Sequence, residues 1–358
     1  MLDYNRIAKV AAVQAAPVWL NLKQTVEKTV TFIEQAAQGG ADLIAFPEAW
    51  LPGYPHFIWT ETNSEWPAKF FPRFYENSVE IDGPELTQIR RACRQHNITA
   101  VVGISERKAG SLYISQAIIN AEGELLAVRR KFKPTHAERT IFGEGDGSDF
   151  RTFDFPFGRV GALSCWEHMQ PLIKYTMNSL GEQIHVASWP AVTQPYVETF
   201  GTLAFETINR MYAMENQCFV ILSSHLLDTA GQELMADTDH KKTLLHLGGG
   251  TTRIYGPDGS ELATPLPEDE EGLLFAELNL QQILYAKNGC DQLGHYSRPG
   301  IFSLHVDNTS PRQVQFRTEN TESDEAASSK DKMRTIPPLE PLDEIAPTAI
   351  HAVDYKTA

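Results

Sequence analysis

Hydrophobic positions at the start of the chain follow two different spacings. Ile7 to Gln14 is rich in Val and Ala and predicts a β-strand, while Asp42 to Phe46 predicts a second, buried strand that Pro47 ends. Between them runs an apolar stripe with helical spacing, formed by Val26, Val30, Ile33 and Ala37. Gly39 and Gly40 predict the end of that helix. Strand, helix and strand in this order are typical of the start of an α/β fold.

The same alternation continues towards the middle of the chain. Leu86 to His96 predicts a helix, and Ile98 to Ile104 predicts a strand. Two further strands, Leu112 to Ile119 and Leu125 to Lys131, flank the turn residues Asn120 to Gly123. A turn between two strand patterns predicts a β-hairpin here.

The second half of the chain predicts a strand, a helix, a strand, a helix, a strand and a hairpin turn. These elements are Arg159 to Ser164, Pro171 to Leu180, Ile184 to Ser188, Leu203 to Met214, Cys218 to Leu222 and Tyr255 to Gly259. The two halves share the same order of elements, although their sequences show no repeat. We therefore predict an α/β protein with two similar halves.

Length and composition divide the chain into a folded part and a tail. With 358 residues, it exceeds the size at which one core usually stops growing, which predicts one large domain with extra segments or two small domains. Hydrophobic residues make up 42% and charged residues 22%, as in soluble globular proteins. Beyond about Asn308 the composition turns to Ser, Glu, Asp, Lys and Pro. We expect one folded domain over residues 1–307 and a mobile polar tail over residues 308–358.

Charge and apolar content exclude several classes of partner. The formal net charge is −15, which is the wrong sign for binding nucleic-acid phosphates or anionic lipid surfaces. No window is long and apolar enough to cross a membrane, and the start lacks the basic and apolar regions of a leader. These features predict a cytoplasmic protein that binds neither nucleic acid nor membrane.

Cysteine and histidine spacing argues against a metal site. Four cysteines, Cys93, Cys165, Cys218 and Cys290, stand too far apart for any Cys-x-x-Cys pair. No two histidines stand four residues apart beside a suitable acid. We therefore expect no metal, and each cysteine has to be considered separately.

Three predicted strand ends carry unusual polar residues, namely Glu48, Lys131 and Cys165. Ligands of α/β sheets bind outside the carboxyl ends of strands, so these three side chains could converge on one site. A thiolate is a nucleophile, a nearby cation lowers its pKa, and a carboxylate can carry protons to a leaving group. The combination predicts covalent hydrolysis.

Each of these residues also has a simpler structural interpretation. A cysteine at the end of an apolar strand is more often an inert core residue, and this interpretation is kept for Cys93, Cys218 and Cys290. Glu48 could cap a turn, and Lys131 could be a solvated strand end. Nearby histidines, His136 and His168, could suggest a Cys-His pair or metal ligands, although histidine spacing argues against a metal. Spacing alone does not choose between these alternatives.

Three longer motifs resolve the choice. They are Phe46-Pro47-Glu48, then Arg129 to Arg139 with the sequence Arg-Arg-Lys-Phe-Lys-Pro-Thr-His-Ala-Glu-Arg, and Ser164-Cys165-Trp166-Glu167-His168. Together they resemble the nitrilases, the nitrile-hydrolysing branch of the carbon-nitrogen hydrolase superfamily. The resemblance runs from about Val10 to Pro299 and includes the loop Gly143 to Asp149. Phe132 and Ala137 stand where Leu and Val are commoner, and both changes are apolar.

The resemblance implies a fold and a set of site residues. The implied fold is a four-layer α-β-β-α sandwich that assembles into a homo-oligomer, often an extended spiral. Cys165 is implied as the nucleophile, Glu48 as the general acid and base, and Lys131 as the stabiliser of the tetrahedral species. Glu138 matches a second glutamate that orients Lys131 and the reacting group. No cofactor or metal is implied.

The implied activity is hydrolysis of an organic nitrile to a carboxylic acid and ammonia. Aromatic residues near the motifs predict an apolar substrate pocket, and these are Tyr54, Phe57, Trp59, Trp166 and Trp189. Such a wall favours aliphatic and arylaliphatic nitriles over cyanide. A cyanide-degrading enzyme or an amidase of the same superfamily remains an alternative, and a non-catalytic, filament-forming relative is the more distant one.

Overall fold

The computed structural model describes residues 3–193 and 201–310. Its strands are β1 Ile7–Ala15, β2 Leu43–Ala45, β3 Thr99–Lys108, β4 Ser111–Ile119, β5 Leu125–Arg130, β6 Phe142–Gly143, β7 Thr152–Phe155, β8 Gly158–Ser164, β9 Ile184–Trp189, β10 Phe219–His225, β11 Arg253–Tyr255 and β12 Gly272–Asn279. Its α-helices are α1 Leu22–Gln38, α2 Phe57–Thr60, α3 Trp66–Lys69, α4 Phe71–Glu76, α5 Pro84–His96, α6 Pro171–Ser179, α7 Thr202–Asn216, α8 Thr229–Met235, α9 Asp239–Leu244 and α10 Gln281–Cys290. Short 3-10 turns cover His136–Thr140, Gly147–Asp149 and Cys165–Met169.

The strands are hydrogen-bonded in the order β5-β4-β3-β2-β1-β10-β9-β8-β7. Strands β3, β2, β1, β10, β9 and β8 run parallel to their neighbours in this order. Strand β5 points the same way as β3, because β4 is antiparallel to both. The carboxyl ends of β2, β5 and β8 therefore lie at one edge, which is where ligands bind in such sheets.

Strands β1 and β10 connect the two halves of the sheet. Strands β1 and β10 pair through two residues each, Gln14 with Ser224 and Ala15 with His225. Across the interior, Gln116 Nε2 donates hydrogen bonds to the Leu163 carbonyl at 3.2 Å and to Ser188 Oγ at 2.9 Å. The halves therefore face each other like two sheets of a sandwich.

Three apolar layers confirm the four-layer architecture. One layer packs helices α1 and α5 on strands of the first half, as Ile33 and Ile89 do on Val102. A central layer lies between the halves and contains Val101 and Val186. A third layer packs α6 and α7 on the second half, with members such as Met177, Tyr212 and Val220. Helices thus cover both outer faces, as the resemblance implied.

Most elements expected from the hydrophobic pattern are present. Helix α1 begins at Asn21, whose side chain accepts the Gln24 amide, and it ends at Gly39, with Gly40 at a positive φ of 78°. Strand β3 extends beyond the expected Ile104 to Lys108. The extension forms a hairpin with β4, which the sequence analysis missed.

This missed hairpin has a two-residue turn of Ala109 and Gly110, and both residues have positive φ angles. Type I′ turns of this kind usually carry Asn or Asp before the glycine. Alanine at the first position left no turn signal for the sequence analysis to detect. The expected turn at Tyr255 is present, closed by a hydrogen bond from the Gly256 amide to the Ser260 carbonyl.

Two expectations concern parts of the chain beyond the sheet. The mobile tail expected over residues 308–358 lies outside the described residues after Ser310, and the domain limit stays a prediction. Within the described part of the chain, helices are too short or too polar to cross a membrane.

Candidate active site

The carboxyl edge of the sheet brings four sequence-predicted residues together. Lys131 Nζ lies 2.8 Å from Glu48 Oε1 and 2.7 Å from Glu138 Oε2. Ligand atoms of Glu48, Glu138 and Cys165 lie within 4.8 Å of one another. All four side chains are buried, with Lys131 and Glu48 fully so. Lys131 is therefore not the solvated strand end that the simpler interpretation allowed.

One lysine faces two carboxylates at this buried site. Burial raises the pKa of Glu48 to about 8, although Lys131 acts in the opposite direction. Burial also acts to lower the pKa of Lys131, but Glu138 and Glu48 outweigh it and hold that pKa well above 10.5. The ammonium of Lys131 therefore stays charged, and a pKa of about 8 lets Glu48 both hold and accept a proton near neutral pH.

Glu138 is held in place by a short turn. The turn begins with Thr135, whose backbone amide donates to Glu138 Oε2 at 2.6 Å. Tyr54 donates its hydroxyl to Glu138 Oε1 at 2.7 Å, and Trp59 Nε1 donates to the Tyr54 oxygen at 3.2 Å. Since both carboxylate oxygens are occupied, Glu138 can orient Lys131. Glu48 differs, because its Oε2 is buried and has no hydrogen-bond partner among the described residues.

Cys165 occupies a sharp turn at the end of β8. Its φ is +53°, a left-handed conformation that is unfavourable for residues other than glycine. Burial raises the pKa of the Cys165 thiol well above 9.0, and Lys131 only partly offsets this. Lys131 therefore acts on the thiol pKa in the expected direction, while burial acts more strongly in the opposite one. The thiol needs a base when it reacts, and the free oxygen of Glu48 is nearby.

Glu167 links the cysteine turn to the end of β5. Its Oε2 accepts the Ser164 amide at 2.8 Å, and its Oε1 accepts the Phe132 amide at 2.7 Å. The Arg129 guanidinium also donates to Oε1. Sequence analysis did not assign Glu167 a role. The pattern Ser-x-x-Glu, from Ser164 to Glu167, was the signal that predicts such a capping box.

A cavity of about 270 Å³ opens onto Cys165. Its described wall residues are Tyr54, His56, Trp59, Thr135, His136, Glu138, Cys165, Trp166, Pro190, Ala191, Val192, Thr193 and Phe205. Three of the five aromatic residues expected in the pocket, Tyr54, Trp59 and Trp166, line this cavity. The wall is mostly apolar, with a few polar groups near the thiol, as in small-molecule sites.

Trp189 does not line this cavity, and that expectation is wrong. It is fully buried, and its ring packs at 6.2 Å from Trp166 and 4.2 Å from Phe205. Its Nε1 donates to Asn209 Oδ1 at 3.2 Å. Trp189 ends a strand near the site, but its side chain points into the layer under α7. Phe57 is likewise fully buried and stacks on Phe70 at 4.5 Å.

Comparisons with known proteins agree with this architecture. The carbon-nitrogen hydrolase family model matches residues 9–287. A carbon-nitrogen hydrolase from Helicobacter pylori G27 superposes with a TM-score of 0.63 over 80% of this chain and 94% of that chain, at 21% identity. An amidase from Nesterenkonia sp. AN1 superposes with a TM-score of 0.58 over 76% of this chain and 95% of its own, at 17% identity. At such low identity these structures support the fold alone.

Relatives of much higher sequence identity narrow the assignment. An aliphatic nitrilase from Rhodococcus rhodochrous is 51% identical over 307 residues, which is 85% of this chain and 84% of that protein. A nitrilase from Pseudomonas syringae pv. syringae is 49% identical over 83% of this chain and 88% of its own. An arylacetonitrilase from Aspergillus kawachii is 44% identical over 86% of this chain and 94% of its own. The chain therefore belongs to the carbon-nitrogen hydrolase family, in its nitrilase branch.

Proposed function

We propose that this nitrilase converts organic nitriles into carboxylic acids and ammonia through a covalent bond to Cys165. The observation that carries the proposal is the buried cluster of Glu48, Lys131 and Glu138 around the thiol, at the inner end of an apolar cavity. Glu48 serves as acid and base, Lys131 stabilises developing negative charge, and Glu138 orients Lys131.

The first half of the reaction forms a thioimidate. Cys165 Sγ bonds to the nitrile carbon, while its proton passes through Glu48 Oε2 to the nitrile nitrogen. One π-bond of the nitrile is thereby replaced by a C–S bond and an N–H bond. Lys131 is already charged and fixed by two carboxylates, so it can stabilise charge on nitrogen without reorganising.

The second half consumes two water molecules. One water loses a proton to Glu48 and adds to the thioimidate carbon, and Glu48 passes that proton to the nitrogen. Glu48 then carries the proton of the new hydroxyl to the same nitrogen, so that ammonia leaves while the thioester carbonyl forms. The remaining thioester reacts with the second water, which releases the acid and restores the thiol on Cys165. Loss of the thiol instead of ammonia from the tetrahedral species would give an amide. The charged Lys131 and the proton held by Glu48 favour departure of nitrogen, so the acid is the dominant product.

The cavity supports substrates larger than cyanide. Its volume of about 270 Å³ is many times that of a single water molecule, about 30 Å³ in the liquid. Its aromatic wall suits aliphatic and arylaliphatic nitriles, and apolar walls separate such substrates by only about 1 to 3 kcal/mol per methylene. Several nitriles are therefore accepted.

The test is a product assay with cyanide, an aliphatic dinitrile, benzonitrile, phenylacetonitrile and 3-phenylpropionitrile. Acid, amide and ammonia are quantified by chromatography for each substrate. We expect acid and ammonia from the dinitrile and the arylaliphatic nitriles, at higher rates than from cyanide. Activity confined to cyanide, or a product mixture dominated by amide, would contradict the proposal.

The protein also works as a homo-oligomer in this proposal, in the form of an extended spiral. Support comes from large apolar side chains exposed on the outer helices α6 and α7, among them Leu172 at 66%, Leu203 at 76% and Met214 at 44%. Exposed apolar patches of this kind usually mark protein contacts. Light scattering of Leu172→Glu should show smaller particles than the wild type. An unchanged particle distribution would show that this surface does not take part in assembly.

A cytoplasmic location stays a prediction from the sequence.

A further inference from the structure

A row of buried polar side chains leads from the backbone of Cys165 to helix α7. His168 Nδ1 lies 2.6 Å from the Cys165 carbonyl oxygen, and His168 Nε2 lies 2.9 Å from His185 Nε2. His185 Nδ1 lies 2.8 Å from Glu182 Oε2. These three side chains belong to residues that are at most 4% exposed. The mechanism above uses none of them.

Glu182 anchors the far end of the row. The Tyr212 hydroxyl donates to its Oε1 at 2.5 Å, and Asn216 Nδ2 donates to the same oxygen at 3.2 Å. Strand β8 leaves room for the carboxylate at Gly161, where an added Cβ would lie 2.1 Å from Glu182 Oε2. Three hydrogen-bonding partners and the space above Gly161 therefore fix the position of the Glu182 carboxylate.

Counting protons assigns the direction of the hydrogen bonds. The row has three contacts, and each needs one proton, but two neutral imidazoles supply only two. If His168 Nδ1 were bare, two acceptors would face each other at 2.6 Å, so this nitrogen donates to the Cys165 carbonyl. Burial keeps His168 neutral, so its Nε2 accepts from His185 Nε2, and the third proton lies between His185 Nδ1 and Glu182. That proton balances the carboxylate charge, so the row as a whole is neutral.

The surroundings place the extra proton at the Glu182 end. Burial holds the pKa of His168 well below 6.5, and His185, Arg129 and Lys174 act in the same direction. Only the Cys165 carbonyl acts to raise it. His168 therefore remains neutral and serves as a donor to the carbonyl and an acceptor from His185.

The peptide unit between Cys165 and Trp166 joins the row to the sulfur. Its carbonyl accepts the hydrogen bond from His168, and its N–H, on Trp166, acts to lower the pKa of the Cys165 thiol. A hydrogen bond to the oxygen of an amide polarises the whole amide and makes its N–H a stronger donor. One donor at the carbonyl can thus hold the left-handed turn and strengthen the contact to the sulfur.

We propose that His168, His185 and Glu182 are positioning residues that hold a proton-bearing nitrogen against the Cys165 carbonyl and so aim and polarise the Cys165–Trp166 peptide towards the sulfur. The proposal rests on the assignment of Cys165 as the nucleophile. It extends the active site by a buried branch that does not touch substrate.

Alkylation of Cys165 by iodoacetamide tests the proposal in the full chain. Its rate across pH, with the modified peptide identified by mass spectrometry, reports on the sulfur without any nitrile. His168→Leu removes the donor, whereas His168→Asn keeps an N–H near the place of Nδ1. We expect His168→Leu to react about tenfold more slowly at neutral pH, with its pH midpoint raised by about one unit, and His168→Asn to stay within about threefold of the wild type.

Glu182 supplies a second pair of variants that does not depend on the first. In Glu182→Gln the amide N–H can donate to His185 Nδ1, so the row keeps three hydrogen bonds and stays neutral. We expect Glu182→Gln to alkylate within about threefold of the wild type, and Glu182→Leu to be as slow as His168→Leu. If Glu182 acted only through its negative charge, Glu182→Gln would be alkylated as slowly as Glu182→Leu.

Several outcomes would overturn the proposal, given an unchanged circular dichroism spectrum. The first is that His168→Leu is alkylated at the wild-type rate and with the wild-type pH midpoint. The second is that His168→Asn is alkylated as slowly as His168→Leu. The third is that Glu182→Gln is alkylated as slowly as Glu182→Leu. If His168→Leu does not fold, the Glu182 pair decides. Nitrile turnover that survives in Cys165→Ala would instead contradict the assignment of the nucleophile.

Discussion

Two 3-10 turns at the active site have the same local design but different tasks. One runs over His136–Thr140 and the other over Cys165–Met169, and each carries a glutamate at its third position whose carboxylate accepts the amide of the preceding cap residue. Each begins with a left-handed residue, at φ values of 46° and 53°. Local sequence therefore builds both turns in the same way.

The difference lies in what else each carboxylate contacts. Glu138 reaches Lys131 and Tyr54 beside the cavity, while Glu167 reaches Arg129 and the Phe132 amide under it. Arg129 and Lys131 come from the same end of β5, two residues apart. The same motif thus orients a catalytic cation in one turn and clamps the scaffold in the other, and neighbours in space decide which.

The largest expected effect comes from the first residue of the second turn. Cys165→Ala should lower kcat at least about 10⁴-fold, because no other side chain supplies a nucleophile at this place. Cys218→Ala is the matched control, since Cys218 is a fully buried thiol in the layer under α7. Ammonia release measures both variants. Turnover within tenfold of the wild type in Cys165→Ala would show that the second turn does not carry the nucleophile.

Exchanging the two turn glutamates for glutamine should separate chemistry from stability. Glu138→Gln should lower kcat by at least about 10², because Lys131 loses one of the carboxylates that orient it. Glu167→Gln should instead lower the free energy of unfolding by about 3 to 5 kcal/mol, because it leaves the Arg129 charge buried without a counter-ion.

Steady-state kinetics and urea denaturation of both glutamine variants measure this contrast. We expect the kcat of folded Glu167→Gln to stay within tenfold of the wild type. If the two exchanges changed kcat equally, or changed the free energy of unfolding equally, Glu138 would not serve catalysis and Glu167 stability as proposed.

The pH dependence of the free energy of unfolding tests the protonation state of Glu48. Burial raises the pKa of Glu48 from 4.5 to about 8 in the folded state, so the folded protein binds this proton more tightly than the unfolded chain. Its contribution to stability is full below pH 4.5 and is lost as the pH rises through about 8. Glu48→Gln should therefore gain on the order of 4 kcal/mol relative to the wild type between pH 5 and pH 9.

Urea denaturation at several pH values gives this difference, and Glu268→Gln, at an exposed position, is the matched control. A difference between Glu48→Gln and the wild type that does not change with pH would mean that Glu48 is ionised throughout. The excess charge would then have to be balanced elsewhere in the site.

The smallest expected effect concerns the hydroxyl that completes the first turn. Tyr54→Phe removes the donor to Glu138 Oε1 and should lower kcat by about three- to tenfold, with little change in KM. Tyr255→Phe is the matched control, because the Tyr255 hydroxyl is buried and has no hydrogen-bond partner in the part of the chain that the structure describes. A larger loss in Tyr255→Phe than in Tyr54→Phe would show that the hydroxyl of Tyr54 does not support Glu138.

Much of this molecule was predictable from local patterns. Strands β1, β2, β8 and β9 follow apolar runs, and helix α1 follows its apolar stripe and its terminal glycines. The hairpin of β3 with β4 was missed because Ala109 gives no turn signal. The place of Glu48, Lys131 and Cys165 at one sheet edge follows from strand direction, once the parallel order is known.

The substrate wall shows where a sequence pattern stops being informative. Trp166 and Trp189 both follow or end strands beside the site, and both are large aromatic residues. Only Trp166 lines the cavity, since Trp189 donates to Asn209 and packs under α7. Which face a side chain takes at a strand end depends on the helix that covers it, and α7 lies far along the chain.

The sequence by itself determined the order of most elements, the branch of the family and the identity of Cys165 with the three residues around its thiol, because each depends on patterns within a few neighbouring positions. Tertiary structure decided the protonation of those residues, since burial outweighs Lys131 at Cys165 and leaves Glu48 with a raised pKa. It also decided that the glutamate of one turn contacts Lys131 while the glutamate of the other contacts Arg129. Burial and long-range contacts are properties of the packed chain, and no local pattern encodes them.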